Sequence, residues 1–306
     1  MSEKFNELIQ LLKTPEYGVA SQFDLKKREK VIKQASKIKV ALVMLVKDQA
    51  VIIEKVLHKA KEFNIDEFII VDTGSSDGTK EILEKLDFIH LKEMEWVEDF
   101  SKMRNDAAKF TDADWIFTLD SDEVILESSF DMKLLISIYE ELGDGLFSIS
   151  FEVHTEEHNS FEIPSKIYNP SRMEYYGLVH EELRGKLSHL PVETKVAKVQ
   201  IVNHGASLTE KKKFSKDERY EKLLMKMIEI EPTNPRWFCL LPVSSIEKFE
   251  ASGNYKELII KYLYADKTIN LEKDNINFGN YTRMLFQKLI VHMMIFENKD
   301  SAYKIA

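Results

Sequence analysis

The amino-acid sequence predicts an α/β fold with a mostly parallel sheet, preceded and followed by helical segments. Short apolar runs of strand length alternate with stretches of helical periodicity between residue 38 and about residue 120. Two of those runs end in an aspartate that opens a polar loop. With 306 residues, 44% of them hydrophobic, the chain can bury a full core in one large domain or two smaller ones.

The first element is helical and covers residues 1 to about 36. Apolar residues from Phe5 to Leu12 share one face of a helix, and Pro15 interrupts the pattern before a second, charged stretch. We therefore assign residues 1–37 to an N-terminal helical extension that packs on the domain that follows.

Strands and helices then alternate. The continuous apolar run Val40–Val46 is typical of a strand that is buried on both faces. After it we predict a helix at about 50–63, a strand at Phe68–Val71, a helix at about 78–86, a short strand at Phe88–Leu91, a helix at 100–110 and a strand at Trp115–Leu119. This order predicts βαβ units with right-handed crossovers.

The helical period fades after Gly145. Phe147–Val153 and Val196–Val202 alternate in polarity as strands do, so residues 145–204 should complete the sheet with some antiparallel strands. We therefore assign the whole of residues 38–210 to one sheet domain.

The chain returns to a helical pattern at about Phe214 and keeps it to the end. Helix pairs that flank a proline-rich turn resemble a short tetratricopeptide-type array. We assign residues 211–306 to this C-terminal helical domain. The last residues have no evident capping element, which leaves open whether the natural protein continues.

Composition excludes several classes of protein. The formal net charge is −9, which argues against a nucleic-acid partner. Lys211–Lys213 is the one dense basic run; a solvated helix start explains it, and docking of an acidic partner is the alternative. No signal peptide and no apolar run long enough to span a bilayer is evident, so we expect a cytoplasmic protein without stable membrane insertion. The single cysteine, Cys239, excludes an internal disulfide and a Cys-rich zinc site, and we expect it to be a buried structural thiol.

Two carboxylates follow the strand Trp115–Leu119. Asp120 and Asp122 lie two residues apart at its carboxyl end, the edge at which ligands bind in open α/β sheets. Oxygen ligands in this arrangement suit Mg²⁺ or Mn²⁺ bridged to a diphosphate. An ordinary polar turn is the alternative, and the position after a buried strand in a βαβ series favours the metal site.

A second polar loop follows the strand Phe68–Val71. Gly74 and Gly78 permit tight turns near a ligand, and Ser76 or Asp77 can cap the next helix. Asp72 can accept a hydrogen bond from a nucleobase or a ribose. A strand–turn–helix connection without any ligand is the alternative. The loop has neither the P-loop lysine nor a dinucleotide-binding glycine pattern.

Together these segments resemble family 2 glycosyltransferases, which have the GT-A (Rossmann-like) fold. The resemblance covers about residues 38–210 and rests on the order and spacing of five segments: Val40–Asp48, Asp72–Thr79, Trp96 with Asp99–Ser101, Arg104–Asn105, and Asp120–Asp122. Three later segments are similar to sublancin-type S-glycosyltransferases, which make glycocins: Tyr176–Glu182, Val202–Gly205 and Ile230–Trp237. Those enzymes also resemble this chain in having an N-terminal helical extension and C-terminal tetratricopeptide-like helices.

The resemblance implies a UDP-sugar donor, with UDP-glucose as the first choice, and a Mg²⁺ or Mn²⁺ ion. It assigns the donor site to Val46, Asp72, Arg104, Asn105, Asp120 and Ser121. Within that set Asp72 contacts the uridine, although Thr73 stands where many relatives have a second aspartate. The implied metal ligands are Asp122, Asp120 and His204, with Asp122 binding the ion directly and His204 completing the shell of the metal or the diphosphate.

The resemblance also suggests Glu181 as the general base, with His180 orienting it or the substrate. A surface carboxylate and structural histidines are the alternatives for Glu181, His180 and His204. Trp96 and Trp237 are interpreted as packing residues rather than sugar platforms.

These roles predict an inverting transfer of a hexose from a UDP-sugar to a Cys or Ser side chain of a small peptide such as a glycocin precursor. A family 2 transferase that acts on lipopolysaccharide core or another cell-envelope glycan is the second hypothesis. A catalytically silent scaffold that binds a nucleotide sugar or a protein is the third. The C-terminal helices would hold the peptide or the second subunit of a homodimer. The choice between sulfur and oxygen as acceptor stays open.

Overall fold

The computed structural model divides the chain into two compact units, Met1–Gly177 with Glu181–Glu210 and Leu178–His180 with Lys211–Ala306. The residues that it describes are 25–127, 130–143, 145–155, 161–205, 216–242, 245, 255, 257–259, 262 and 276–296. Most of the predicted N-terminal extension (1–37) and the predicted boundary at residue 210 therefore lie outside the described residues.

In the first unit helices and strands alternate as far as the strand Trp115–Thr118, and strands predominate after it. In chain order they are α1 (Leu25–Ala35), β1 (Val40–Val46), α2 (Ile53–Ala60), β2 (Glu67–Asp72), α3 (Thr79–Leu83), β3 (His90–Glu93), α4 (Phe100–Ala107), β4 (Trp115–Thr118), β5 (Glu123–Ile125), α5 (Met132–Leu142), β6 (Phe147–Thr155), β7 (Phe161–Glu162), β8 (Ser165–Tyr168), β9 (Met173–Tyr176), β10 (Glu182–Gly185) and β11 (Glu193–Asn203). Short 3₁₀ turns, Lys61–Phe63 and Ala108–Phe110, extend α2 and α4.

The main sheet has the strand order β3-β2-β1-β4-β8-β6-β11-β5, and β7 pairs with β6. Neighbours in the first half, from β3 to β4, are parallel. In the second half β8 is antiparallel to both β4 and β6, β6 and β11 are parallel, and β5 is antiparallel to β11. The predicted α/β fold is confirmed, including the antiparallel strands that complete the sheet. Strands β9 and β10 form a separate two-stranded sheet.

Strand β1 lies between two apolar cores because its side chains alternate between the faces of the sheet. Leu42 and Met44 are fully buried in one core, together with residues of α2 and α5. Ala41 and Val43 belong to the other core, with Ile69 of β2. Burial of each large apolar side chain contributes about 1.5–3 kcal/mol to folding, so this continuous apolar run stabilises the centre of the sheet.

Two predicted elements are placed differently in the structure. The short strand predicted at Phe88–Leu91 has the wrong bounds, because β3 begins at His90 and ends at Glu93. Phe88 instead packs its ring at 5.4 Å from that of Phe68, outside the strand. The helix predicted at about 78–86 ends its regular α-helical part at Leu83, and Gly78 precedes it in a left-handed conformation (φ 96°).

The second unit is helical in its described part. It contains α6 (Lys216–Ile230), α7 (Pro235–Leu240) and α8 (Ile276–Phe296). Pro235 occupies the first turn of α7, where a missing N–H costs nothing, and Asn234 caps the helix by accepting the Arg236 N–H at 3.1 Å. The tetratricopeptide-like array stays a prediction. In the part of the chain that the structure describes, no helix is both long and apolar enough to cross a membrane.

Candidate functional site

The carboxyl ends of β1, β2 and β4 meet at one edge of the sheet. β2 and β4 lie on either side of β1, and Val46 at the end of β1 is in register with Asp72 at the end of β2. Asp120 follows β4 at the same edge. The parallel topology thus brings together three of the residues that the sequence assigns to the donor site.

Asp72 has one carboxylate oxygen in use and one without a partner. Its Oδ1 accepts hydrogen bonds from the backbone N–H groups of Gly74, at 2.7 Å, and Ser75, at 2.8 Å. The side chain is buried, with 4% exposure, and its Oδ2 has no hydrogen-bond partner among the described residues. A buried acceptor that lacks a donor is uncommon and suggests that a ligand supplies one.

Hydrogen bonds join the loops that follow β1 and β2. Thr73 donates both its N–H and its hydroxyl to the carbonyl of Val46, each at 3.0 Å. Asp48, which has φ 51°, accepts the N–H of Ser76 at 2.7 Å, and its own N–H donates to the Ser75 hydroxyl at 3.0 Å. These contacts hold the Asp72 loop against the end of β1. The sequence pattern does not predict this role of Asp48.

The turn after β4 is closed by hydrogen bonds between Asp120 and Glu123. The Glu123 N–H donates to the Asp120 carbonyl at 3.0 Å, and the Asp120 N–H donates to Oε2 of Glu123 at 2.9 Å. Ser121 is buried within this turn. The predicted donor residues Asp120 and Ser121 therefore lie in a hydrogen-bonded turn that the side chain of Glu123 stabilises.

A buried lysine lies behind that turn. Lys166 of β8 donates to both carboxylate oxygens of Glu123, at 2.6 and 2.8 Å, and its Nζ lies 3.9 Å from Oδ2 of Asp120. Burial opposes a charge on Lys166, but the carboxylates of Glu123 and Asp120 outweigh burial and raise the pKa of Lys166. Lys166 is thus a cation of this site, which the sequence pattern does not predict.

Arg104 of α4 joins the Asp120 turn to Glu181. Its Nη2 donates to Oδ1 of Asp120 at 2.8 Å, and its Nε donates to Oε1 of Glu181. Its guanidinium also lies 5.5 Å from the ring centre of Tyr175. Burial lowers the pKa of Arg104, but the two carboxylates outweigh burial and raise it well above its usual value. Arg104 and Glu181, assigned to different roles from the sequence, are direct partners.

Asn105 has its side-chain amide engaged by the backbone of β9. Its Nδ2 donates to the carbonyl of Tyr175 at 2.8 Å, and its Oδ1 accepts the N–H of Tyr175 at 2.9 Å. This two-way contact fixes β9 beside α4. Asn105 also lines a cleft of about 720 Å³ together with residues such as Ser101 and Lys186, and neither Asp72 nor Asp120 lines that cleft.

Asp122 is held by the chain that follows β11. The Asp122 carbonyl accepts the N–H of His204 at 2.9 Å, and Oδ1 of Asp122 accepts Nδ2 of Asn203 at 3.3 Å. The pairing of β5 with β11 places Asn203 opposite Glu123. His204 is therefore next to Asp122 in space, although 82 positions separate them in the sequence.

The side chains around the Asp120 turn suit a divalent metal ion that is also bound by a diphosphate. Nowhere in the described ranges do three or more His, Cys, Asp or Glu side chains form a ready cluster for a metal ion. Mg²⁺ in phosphate-transfer sites is commonly bound by one or two carboxylates together with substrate phosphates and water, so a complete protein cage is not required. The cluster of Asp120, Glu123, Glu181, Arg104 and Lys166 carries three carboxylates against two cations. This negative excess, to which Asp122 adds, fits a divalent cation.

The other residues singled out from the sequence are described by their packing contacts and burial. His180 belongs to the second unit, has φ 49°, and lies with its ring 5.6 Å from that of Tyr220. Trp237 is fully buried and donates to Glu231 at 2.8 Å, as expected of a packing residue. Trp96 packs its ring at 4.7 Å from that of Phe100. Cys239 is buried and unpaired, which confirms the prediction of a buried thiol.

Comparison with known proteins gives a family. The model of glycosyl transferase family 2 matches residues 42–203, which is more than half of the chain. The chain is similar to the SPbeta prophage-derived glycosyltransferase SunS of Bacillus subtilis (strain 168), with 26% identity over 200 residues that cover 60% of this chain and 44% of SunS. It is also similar to a TPR repeat-containing protein of Synechococcus elongatus, with 34% identity over 131 residues that cover 42% of this chain and 30% of that protein.

Among solved structures the chain is similar to S. aureus TarS, with a TM-score of 0.43 and 12% identity over 88% of this chain and 55% of that chain. A second similar structure is S. aureus TarS 1-349 in complex with UDP-GlcNAc, with a TM-score of 0.42 and 13% identity over 88% of this chain and 90% of that chain. The chain spans less than half the length of the curated relatives that it matches. The family match covers the site residues from Val46 to Asn203, and the chain belongs to glycosyl transferase family 2.

Proposed function

We propose that this chain is an inverting glycosyltransferase that moves a hexose from a UDP-sugar to a cysteine or serine side chain of a small peptide. The observation that carries the proposal is the unpartnered Oδ2 of buried Asp72, at the same sheet edge as the Asp120 turn. The sequence segments that resemble sublancin-type enzymes, and the similarity to the glycosyltransferase SunS, support the choice of a peptide acceptor.

In this proposal Asp72 recognises the uridine. Its Oδ2 accepts a hydrogen bond from an N–H of the base or from a ribose hydroxyl, while its Oδ1 stays with the backbone of Gly74 and Ser75. Gly74, with φ 102°, presents no side chain, and a Cβ placed there would meet nothing within 4 Å. The loop thus leaves room for a nucleoside to approach the backbone closely.

Asp122 and His204 would hold the divalent cation, with Asp120 on the same turn. When bound, the ion neutralises the charge that develops on the departing diphosphate. Arg104 and Lys166 keep the carboxylate of Asp120 between two cations, at 2.8 and 3.9 Å. These two contacts limit rotation of the Asp120 side chain and so orient its carboxylate towards the diphosphate of the sugar donor.

Glu181 would serve as the general base. Its partner Arg104 holds it beside the Asp120 turn, so the base and the diphosphate site are tied to the same guanidinium. In the reaction the acceptor sulfur or oxygen forms a bond to C1 of the sugar, and the bond from C1 to the phosphate oxygen breaks. UDP leaves with the electron pair, and the acceptor proton goes to Glu181.

The acceptor atom determines how much work the base must do. A cysteine thiol with a pKa of about 8.5 is already a few per cent thiolate at neutral pH, whereas a serine hydroxyl is not ionised. A cysteine acceptor therefore requires less of a carboxylate base than a serine acceptor does. A single displacement inverts the configuration at C1.

Intact-mass spectrometry tests the proposal. The chain is incubated with UDP-glucose and Mg²⁺ and with three versions of one short peptide that carry Cys, Ser or Ala at a single position. We expect a hexose adduct on the Cys peptide, a smaller or equal yield on the Ser peptide and none on the Ala peptide. Parallel reactions with UDP-GlcNAc in place of UDP-glucose identify the donor sugar.

A matched protein control is Asp106→Asn, which removes a carboxylate that lies on α4 and pairs with Lys102 and Lys109 rather than with the site. This variant should retain full transfer. Transfer only to a lipid-linked glycan would contradict the peptide acceptor and support the second hypothesis. Binding of the donor without transfer to any acceptor would contradict the enzyme and support the scaffold.

A further inference from the structure

Gly205 leaves open the space that the carboxylate of Asp122 fills. A Cβ built on Gly205 would lie 1.7 Å from Oδ2 of Asp122, 2.7 Å from its Cγ and 3.2 Å from its Cβ. Ordinary van der Waals contact of a Cβ begins at about 3.4 Å, so the two groups cannot occupy these positions together. Any residue with a Cβ at position 205 would therefore overlap the space that the Asp122 carboxylate fills.

The backbone conformation does not explain a glycine at this position. Among the residues that the structure describes, the glycines with positive φ are Gly74, Gly78, Gly145 and Gly177, and Gly205 is not one of them. An alanine could therefore adopt the backbone conformation of Gly205 without the strain of a left-handed residue. Position 205 therefore requires glycine because a Cβ there would overlap the side chain of Asp122.

Backbone pairing opposes relief of the clash by a shift of either segment. The antiparallel pairing of β5 with β11 continues up to Glu123 and Asn203, one residue from Asp122 and two residues from Gly205. The backbone hydrogen bond from His204 to Asp122, at 2.9 Å, then ties the next residues together. An added Cβ would have to displace the Asp122 carboxylate, because a short side chain moves more easily than a hydrogen-bonded ladder.

We propose that Gly205 is a positioning residue that sets the Asp122 carboxylate for the metal–diphosphate of the donor. This inference rests on the proposed function. Gly205 lies against the Oδ2 side of the Asp122 carboxylate, and Nδ2 of Asn203 donates to its Oδ1 at 3.3 Å. The carboxylate is therefore contacted on two sides. Metal–ligand distances tolerate changes of only about 0.2 Å, and the clash at Gly205 demands a shift several times larger.

Binding of UDP, measured by isothermal titration calorimetry in Mg²⁺ and in EDTA, tests the role of Gly205. We expect Gly205→Ala to weaken UDP binding in Mg²⁺ by roughly 10- to 100-fold, the range typical of changes that disturb a metal ligand indirectly. Binding in EDTA should match that of the wild-type chain, because the uridine contacts are untouched. Equal affinity of both proteins in Mg²⁺ would overturn the inference.

Gly185→Ala is the matched control for a crowded glycine. A Cβ at Gly185 would lie 2.6 Å from Oγ of Ser188 and 2.8 Å from Cδ2 of Leu146, in the same unit but with no contact to Asp122. This variant should bind UDP like the wild-type chain in both buffers. A loss of Mg²⁺-dependent binding equal to that of Gly205→Ala would overturn the inference, because crowding in general would then explain both.

A thermal-stability cycle tests the contact without reference to binding. We expect Gly205→Ala to lower the Tm of the wild-type chain, and to lower it much less in an Asp122→Ala background, where Oδ2 and Cγ are gone. Equal losses in both backgrounds would overturn the inference. If the wild-type chain binds UDP equally in Mg²⁺ and EDTA, the metal in the proposed function fails, and the cycle still reports whether Gly205 shapes the position of Asp122.

Discussion

The ammonium group of Lys166 lies 2.6 Å from the carboxylate of Glu123, and neither side chain is more than 5% exposed. Removal of one member of such a pair leaves an uncompensated buried charge, which costs far more than the pair contributes. We predict that Lys166→Met lowers the free energy of unfolding by about 3–5 kcal/mol, measured by urea denaturation of the wild-type and variant chains.

The control is a double variant. Glu123→Gln removes the stranded charge and keeps an oxygen that can accept the Asp120 N–H. Lys166→Met with Glu123→Gln should therefore recover much of the stability that Lys166→Met alone loses. If the double variant is less stable than the single one, the pair is not the source of the loss.

The second prediction concerns recognition of the nucleoside by Asp72. Asp72→Asn keeps an oxygen for the backbone of Gly74 and Ser75, but it can present an NH₂ group where Oδ2 was. Loss of a hydrogen bond to a charged acceptor costs about 1.5–3 kcal/mol, so UDP affinity should fall roughly 10- to 100-fold.

Calorimetry with UDP checks this prediction, and Asp77→Asn serves as its control in the same loop. Asp77 accepts backbone N–H groups from Thr79 and Ala50, each at 3.0 Å, and has no role in the proposed donor contacts. UDP affinity that is unchanged in Asp72→Asn would show that Oδ2 does not face the donor.

The third prediction separates the base from the donor site. Glu181→Gln keeps an oxygen for the Nε of Arg104 but cannot accept the proton of the acceptor. Turnover should fall by about 10²- to 10⁴-fold, the usual contribution of a general base, while UDP affinity changes little.

Steady-state release of UDP measures that turnover. Unchanged turnover would require a different base. The neighbouring carboxylates are already engaged, since Asp99 caps α4 through the Lys102 N–H at 2.9 Å and Glu182 pairs with Arg184 at 2.8 Å. Asp99→Asn and Glu182→Gln would then be the next variants to measure.

The fourth prediction concerns Cys239. Burial raises the pKa of its thiol to about 12. Alkylation of the folded chain by iodoacetamide at pH 8 should therefore be very slow and should become fast in urea. Because the unfolded state loses the thiol proton first, this group contributes stability below pH 9 that is lost as the pH rises toward 12. Rapid alkylation of the folded chain would contradict the burial of Cys239.

Much of the sheet could be predicted because its strands are short apolar runs with helices between them. Val40–Val46 is predicted to the residue, since a strand that is buried on both faces needs apolar side chains at every position. β3 is harder, because it lies at the edge of the sheet and its four residues are mostly exposed. Its sequence, His-Leu-Lys-Glu, lacks the apolar signal that the preceding Phe88 and Ile89 carry.

The candidate site could be predicted only where its residues follow strands. Asp72 and Asp120 are visible because each ends an apolar run at the carboxyl edge of the sheet. Lys166 could not be found in this way, since a lysine in a strand is usually exposed and its partner Glu123 lies 43 positions away. The space at Gly205 depends equally on a long-range pairing, that of β5 with β11.

The proposed metal-dependent donor site is tested most directly by turnover of Asp122→Ala across a titration of Mg²⁺, with circular dichroism to show that the variant is folded. The wild-type chain should release UDP from its sugar donor only when the divalent cation is present. Asp122→Ala should show the same circular dichroism and no turnover at any Mg²⁺ concentration. A folded Asp122→Ala variant with the turnover and the Mg²⁺ dependence of the wild-type chain would contradict the assignment of the ion to Asp122.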